Sequence, residues 1–324
     1  MNRKSLLPIV AAFATIYLVW GTTYLGLAVL LRTLPPFASG AIRFALAAVI
    51  MYSLLRLRGV RPLADVPWKH AIIAGILLSG FGNGFVIWGQ QTVPSGIAAL
   101  LVAALPLWIL LFDTVAFARR KPRAKDLVGS VIGLAGVILI VSQTRSFDAS
   151  GAILPTLSIL LATFAWSIGT LVQRAAVKPG QVGAFACAQM AAGALCQALC
   201  ALIAGEWPQV ALADFTATTV WTLLYMAVFG SVIAFSAYLW LVTKVPTPAV
   251  ATYSLVNPVV AMALGAWILG ERISPAAIAA STLVLVGVAL VLWPGRGVRS
   301  DVREPERAPV AAVADGDLAL ERCR

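Results

Sequence analysis

Long apolar stretches broken by short polar loops run through most of this chain. Each stretch is about 17–25 residues, the length a helix needs to cross the hydrocarbon core of a bilayer. Ten such spans are predicted, near residues 8–30, 36–55, 70–89, 93–117, 127–143, 151–173, 181–204, 219–242, 247–269 and 275–293. Composition agrees with the pattern: 60% of residues are apolar, 11% are charged, and the mean hydropathy is +0.92. A water-soluble fold is excluded by that balance.

The spans repeat. Pro94 follows Trp88 as Pro246 follows Trp240, and Pro106 and Pro258 come after them at the same spacing. Leu134-x-Gly136-Val137 recurs as Leu285-x-Gly287-Val288, and Trp20 with Arg43 recurs as Trp166 with Gln189. A period near 150 residues is too long for a solenoid unit of about 20–50 residues, so the pattern reads as a duplicated domain. In membrane proteins such duplication builds transporters around a central site.

Basic residues set the orientation, since short loops rich in Lys and Arg stay in the cytoplasm. With the N-terminus inside, every one of the 24 Lys and Arg falls on the cytoplasmic side except Arg32, Arg145 and Arg272 outside and Arg43 within a span. Each copy then holds five spans, and an odd number inverts the second relative to the first. The predicted fold is an all-α polytopic membrane protein of ten transmembrane helices in two inverted five-helix repeats. Residues 1–145 and 146–295 form the repeats, and 296–324, rich in Arg, Glu, Asp, Pro and Ala, form a disordered cytoplasmic tail.

The net charge of +11 does not point to nucleic acid, because the basic residues are spread over loops that abut the membrane. Arg3 and Lys4 precede an apolar stretch as in a signal peptide, but that stretch lacks a convincing small-residue cleavage site and reads as a retained first helix. Cys187, Cys196 and Cys200 share the seventh span, with Cys323 in the tail; with no His beside them they read as packing residues rather than metal ligands.

Charges inside a bilayer are costly, which makes those within the spans functional candidates. Arg43 lies about 10 Å deep at 1.5 Å per residue. It suits a substrate carboxylate, and equally suits free carbonyls at a broken helix or snorkelling outward. Asp113, near the inner end of the fourth span, either pairs with Arg119 and Arg120 or carries a proton in a water-filled vestibule. Asn83 between Gly82 and Gly84 marks a flexible place in the third span. Pro106 and Pro258 remove hydrogen bonds deep in the fourth and ninth spans, as helix breaks near a binding site or as packing kinks. Asn257 with Tyr253 one turn earlier forms the foremost candidate contact. Trp20, Thr22, Trp88, Trp166 and Tyr238 complete the candidate substrate-binding set, the tryptophans either lining a cavity or packing against it.

The chain resembles the EamA-type drug/metabolite transporters, and within them the YedA-like exporters. The likeness rests on Tyr17-Leu18-Val19-Trp20-Gly21-Thr22-Thr23-Tyr24, Ile42-Arg43-Phe44, Val93-Pro94-Ser95-Gly96-Ile97-Ala98-Ala99-Leu100, Asn257-Pro258 and Leu269-Gly270-Glu271-Arg272, and covers about residues 8–293. It implies a central cavity lined by the first, third, fourth, sixth, eighth and ninth helices, and export of amino acids, metabolites or drugs by alternating access. One departure stands out: Gly270-Glu271-Arg272 corresponds in the first half to Arg119-Arg120-Lys121, where the resemblance implies an acidic residue in many relatives.

Aromatics, amides and a single cation suit zwitterionic, amphipathic or weakly charged solutes. Nucleotide sugars and sugar phosphates, the alternative cargo, call for several internal cations. An intramembrane enzyme would need a catalytic set that the one His and one deep Asp do not supply. The expectation is a bacterial-type inner membrane exporter with both termini cytoplasmic, a small solute and the bilayer as partners, and no cofactor. The sequence leaves the oligomeric state open.

Overall fold

The computed structural model describes residues 3–61, 63–112, 124–144, 153–245 and 247–292. Asp113, Arg119, Arg120, Lys121, Arg145, Pro246 and the tail 296–324 lie outside them. Among the described residues the chain is helical, with no strand. That outcome follows from the apolar runs: where water is absent, a helix satisfies every main-chain polar group from within its own segment.

In chain order the helices are α1 (Arg3–Leu30), α2 (Pro36–Leu57), α3 (Trp68–Gly89), α4 (Ser95–Val102), α5 (Leu105–Phe112), α6 (Ala124–Thr144), α7 (Ile153–Ala176), α8 (Val182–Ile203), α9 (Ala217–Lys244), α10 (Thr247–Val250), α11 (Tyr253–Leu269) and α12 (Pro275–Leu292). Helical segments occupy each of the ten predicted stretches. Six of them, α1, α2, α3, α7, α8 and α9, are long and apolar enough to cross a membrane. Local chemistry sets several ends. Pro36 starts α2 at a position that needs no N–H, the Thr216 hydroxyl caps α9, and Gly270 ends α11 with φ 69°.

Three features depart from plain helices. The fourth stretch is interrupted by a turn at Ala103 and Ala104, so Pro106 sits in the first turn of α5 and starts a helix rather than kinking one. The ninth is split into α10 and α11, with Pro258 in the interior of α11. Helices α3 and α9 each contain a π-helical stretch, Gly75–Gly82 and Met226–Ile233. The two stretches end at nearly the same distance before Trp88 and Trp240. Such wide turns leave carbonyls without their usual helical partner.

The packing has an internal regularity. Helix α2 lies on α8 and α6 on α12; α1 packs on α11 and α5 on α7; α3 packs on α7 and α8, and α9 on α1 and α2. Matching α1–α6 in order with α7–α12 maps these pairs onto one another. At the α6–α12 contact the backbones nearly touch: a Cβ at Gly287 would fall 2.6 Å from the Gly129 carbonyl oxygen and 2.6 Å from Gly133 Cα. Small residues permit that approach.

Candidate functional site

A cavity opens where two apolar clusters meet. One cluster contains Ile16, Trp20, Phe44, Phe235, Tyr238 and Tyr253. The other contains Tyr24, Leu27, Val86, Val102, Ala162 and Met226. Helix α1 passes through both and presents Trp20, Thr23, Tyr24 and Leu27 to the cavity, the spacing of a single helix face. Arg43 comes from α2; Gly82, Asn83 and Val86 from α3; Val102 and Leu105 from the α4–α5 junction; Ala162, Thr163 and Trp166 from α7; Phe235 from α9; and Tyr253 and Asn257 from α11. The room for water is about 40 Å³, enough for two or three molecules. That room is smaller than an amino acid.

Arg43 is 3% exposed. Its Nε donates to Ser231 Oγ at 3.0 Å, and the guanidinium lies 4.8 Å from the centre of the Phe44 ring. Ser231 in turn donates to the Met226 carbonyl at 3.1 Å, and the Trp20 indole donates to the Gly230 carbonyl at 3.1 Å. Both carbonyls belong to the π-helical stretch of α9. The wide turn thus supplies acceptors: Trp20 of α1 takes one, and Ser231 of α9 takes the other while accepting from Arg43 of α2. Only the Nε of Arg43 is engaged this way, and among the described residues no carboxylate pairs with the guanidinium. A buried cation left so is costly unless a counter-charge arrives.

The opposite π-helical stretch is held by amides: Asn83 Nδ2 donates to the Leu78 carbonyl at 3.0 Å, and Gln197 Nε2 to the Ser79 carbonyl at 2.6 Å.

Aromatic rings crowd around Trp20. Their centroids lie 4.9 Å away for Tyr253, 5.1 Å for Tyr238, 5.4 Å for Phe235 and 5.7 Å for Trp166. These are offset and edge contacts of the favourable kind. Two polar atoms of this cluster, Trp166 Nε1 and the Tyr253 hydroxyl, are buried without a hydrogen-bond partner. Unsatisfied groups of that sort are uncommon in folded proteins.

The predicted residues divide into those the structure brings together and those it does not. Trp20, Arg43, Asn83, Trp166, Tyr253 and Asn257 line the cavity. With its amide nitrogen toward the carbonyls of Tyr17 (3.1 Å) and Tyr253 (3.2 Å), Asn257 also ties α1 to α11. Thr22 faces away, bonded to the Val19 carbonyl at 2.7 Å and to the Tyr225 hydroxyl. Tyr238 forms a layer behind Trp20, its hydroxyl 2.9 Å from Thr170 Oγ1. Trp88 packs beside Phe37, Ala38 and Ala201 at the end of α3. Asp113 lies outside the described residues. Sequence reasoning passed over Thr23, Tyr24, Leu27 and Thr163, although the first three follow Trp20 at helical-face spacing and Thr163 precedes Trp166 by one turn.

Comparison with known proteins gives this geometry its context. The model of the EamA-like transporter family matches residues 7–142 and again 154–293. The chain is 35% identical over 312 residues to the uncharacterized inner membrane transporter YedA of Escherichia coli K12, covering 93% of this chain and 98% of that one. It is 24% identical over 298 residues to a protein of Salmonella typhimurium named a probable amino-acid metabolite efflux pump, covering 89% and 95%. A protein solved by crystallography shares the fold with a TM-score of 0.63 at 23% identity, over 89% of this chain and 96% of that one.

Proposed function

Because the chain belongs to the EamA-like transporter family, whose members are transporters and not enzymes, we propose that it exports small zwitterionic or amphipathic metabolites, amino acids among them, by alternating access through the cavity around Trp20 and Arg43. One observation carries this reading: the cavity holds a buried guanidinium with no carboxylate partner among the described residues, together with an aromatic wall. A solute carboxylate would provide the missing charge, and its apolar part would rest on Trp20, Trp166 and Phe235. The unpartnered Trp166 N–H and Tyr253 hydroxyl offer two further bonds. The name of the Salmonella relative supports amino acids as one cargo. Nucleotide sugars and sugar phosphates fit less well, since Arg43 is the one cation among the described lining residues.

The proposed setting is a bacterial inner membrane with both termini in the cytoplasm and two inverted five-helix repeats. Loop charge, the two successive family matches and the regular packing of α1–α6 against α7–α12 support it. Competition in proteoliposomes tests the cargo. An amino acid should inhibit uptake of a labelled relative at least about tenfold better than its carboxamide, the margin of one lost charged contact. Equal inhibition by the two would remove Arg43 from recognition.

A further inference from the structure

Two carboxylates outside the cavity lining hold the ends of helices distant from them in sequence. Glu271 follows the left-handed turn at Gly270, which carries it over the start of α4. There Oε1 accepts the Ser95 N–H at 2.9 Å, and Oε2 accepts the Ser95 hydroxyl at 2.8 Å and the Gly96 N–H at 3.4 Å. Glu206, 5% exposed, follows the left-handed Gly205 beyond α8. Its Oε2 accepts the Ala38 N–H in the first turn of α2 at 2.8 Å. The first amides of a helix lack internal partners and carry partial positive charge, so a carboxylate is their strongest protein partner.

Both bonds join the two family-matched segments: Ala38 and Ser95 lie in the first, Glu206 and Glu271 in the second. Both also lie at one end of the bundle, because Phe37 abuts Gly84 at the end of α3, next to the start of α4. Two neutral bonds reinforce this end, Thr33 to Thr219 at 2.9 Å and Gln90 Nε2 to the Tyr24 carbonyl at 3.1 Å. The other end is built differently. There, among the described residues, Gln181 Nε2 donates to the Asp65 carbonyl at 2.7 Å.

We propose that Glu206 and Glu271 form a one-sided clasp that closes the cavity at the end where α2 and α4 begin, and that solute release there requires both carboxylates to let go. Resting on the export reading and its topology, this end is the external one. Helix α2 carries Arg43 and α4 carries Val102, so freeing their first turns from the second segment loosens two walls of the cavity.

The test measures access to the cavity from each face. Val102→Cys is introduced into the full chain with Cys187, Cys196, Cys200 and Cys323 replaced by alanine, and its labelling by a membrane-impermeant maleimide is timed in oriented vesicles. Glu206→Gln and Glu271→Gln should each raise the external labelling rate roughly fivefold, and the pair roughly twenty-five-fold, as expected of independent helix caps. Gly265→Ala is a second route that keeps both carboxylates: its Cβ would lie 2.6 Å from Ser95 Oγ and closer still to Glu271 Oε2, forcing that contact apart and raising the rate likewise. Unchanged external labelling in all three variants, or a rise confined to the opposite face, overturns the clasp. Counterflow by the unsubstituted chain and by its Glu206→Gln and Glu271→Gln variants, all with Val102 in place, separates the two readings. Exchange of solute with unchanged labelling sinks the clasp alone, whereas raised labelling without exchange by the unsubstituted chain or its glutamine variants supports the clasp and sinks export.

Discussion

An alanine at Gly287 would drive a methyl group into the backbone of α6. Its Cβ would lie 2.6 Å from the Gly129 carbonyl oxygen and from Gly133 Cα, and nearer still to the Gly133 nitrogen. Main-chain atoms cannot escape by changing rotamer, so the helices must separate. Restoring ordinary contact at about 3.5–4.0 Å moves the axes apart by about 1 Å, and a gap of that size forfeits a quarter to a half of each pairwise attraction. Packing, rather than water exclusion, holds helices together in lipid, so nothing compensates. Together with the cost of overpacking, the loss should be about 2–4 kcal/mol. Thermal unfolding in nanodiscs should then fall by roughly 5–10 °C. Gly180→Ala is the control, since a Cβ there meets nothing within 4 Å. A melting temperature for Gly287→Ala within about 2 °C of that control would refute the close approach of α6 and α12.

Four further outcomes are expected. Asn257→Ala should both weaken transport and lower stability by about 1–3 kcal/mol, because the carbonyls of Tyr17 and Tyr253 lose their donor; a variant with normal flux would make Asn257 purely a strut. Arg43→Gln should raise KM for carboxylate solutes by roughly ten- to a hundredfold while leaving an uncharged amide analogue little changed, and an equal loss for both would assign Arg43 to structure alone. Gly270→Ala should cost about 1 kcal/mol, since φ 69° strains any side chain, measurable as a lower melting temperature. Burial lifts the Glu206 carboxyl above its usual 4.5, against the opposing amide bonds from Ala38 and Phe37. The folded protein therefore holds that proton to higher pH than the unfolded chain, and the associated stability is full below pH 4.5 and lost as pH rises through the folded value. Melting of the wild type relative to Glu206→Gln should decline over that interval, and parallel pH profiles would contradict the burial.

Much of the architecture was legible because apolar run length translates directly into helix length, and the described helices fall where the runs predict. Which residues reach the cavity was only partly legible. Thr22 and Thr23 are one position apart, yet about 100° of helix rotation sends one to Tyr225 and the other to the cavity. The π-helical stretches depend on partners from other helices. Gly82 and Gly84 around Asn83 marked a flexible place at the one in α3, whereas Met226–Ile233 offers only Gly230, and its acceptors are taken by Trp20 and Ser231. Pro106 read as a break within a span because the proline was visible, while the turn that makes it the start of α5 was not. Glu271 stood out as part of a motif, but its grip on Ser95 joins residues too distant in sequence to be read as a pair.

The central claim is tested most directly by reconstituting the full chain into liposomes and measuring counterflow of labelled amino acids, aromatic ones included. The account predicts saturable exchange that carboxylate-bearing solutes inhibit and that Arg43→Gln abolishes at low solute. Folded protein that exchanges no amino acid or amphipathic solute in the panel, or whose exchange is indifferent to Arg43, would contradict it.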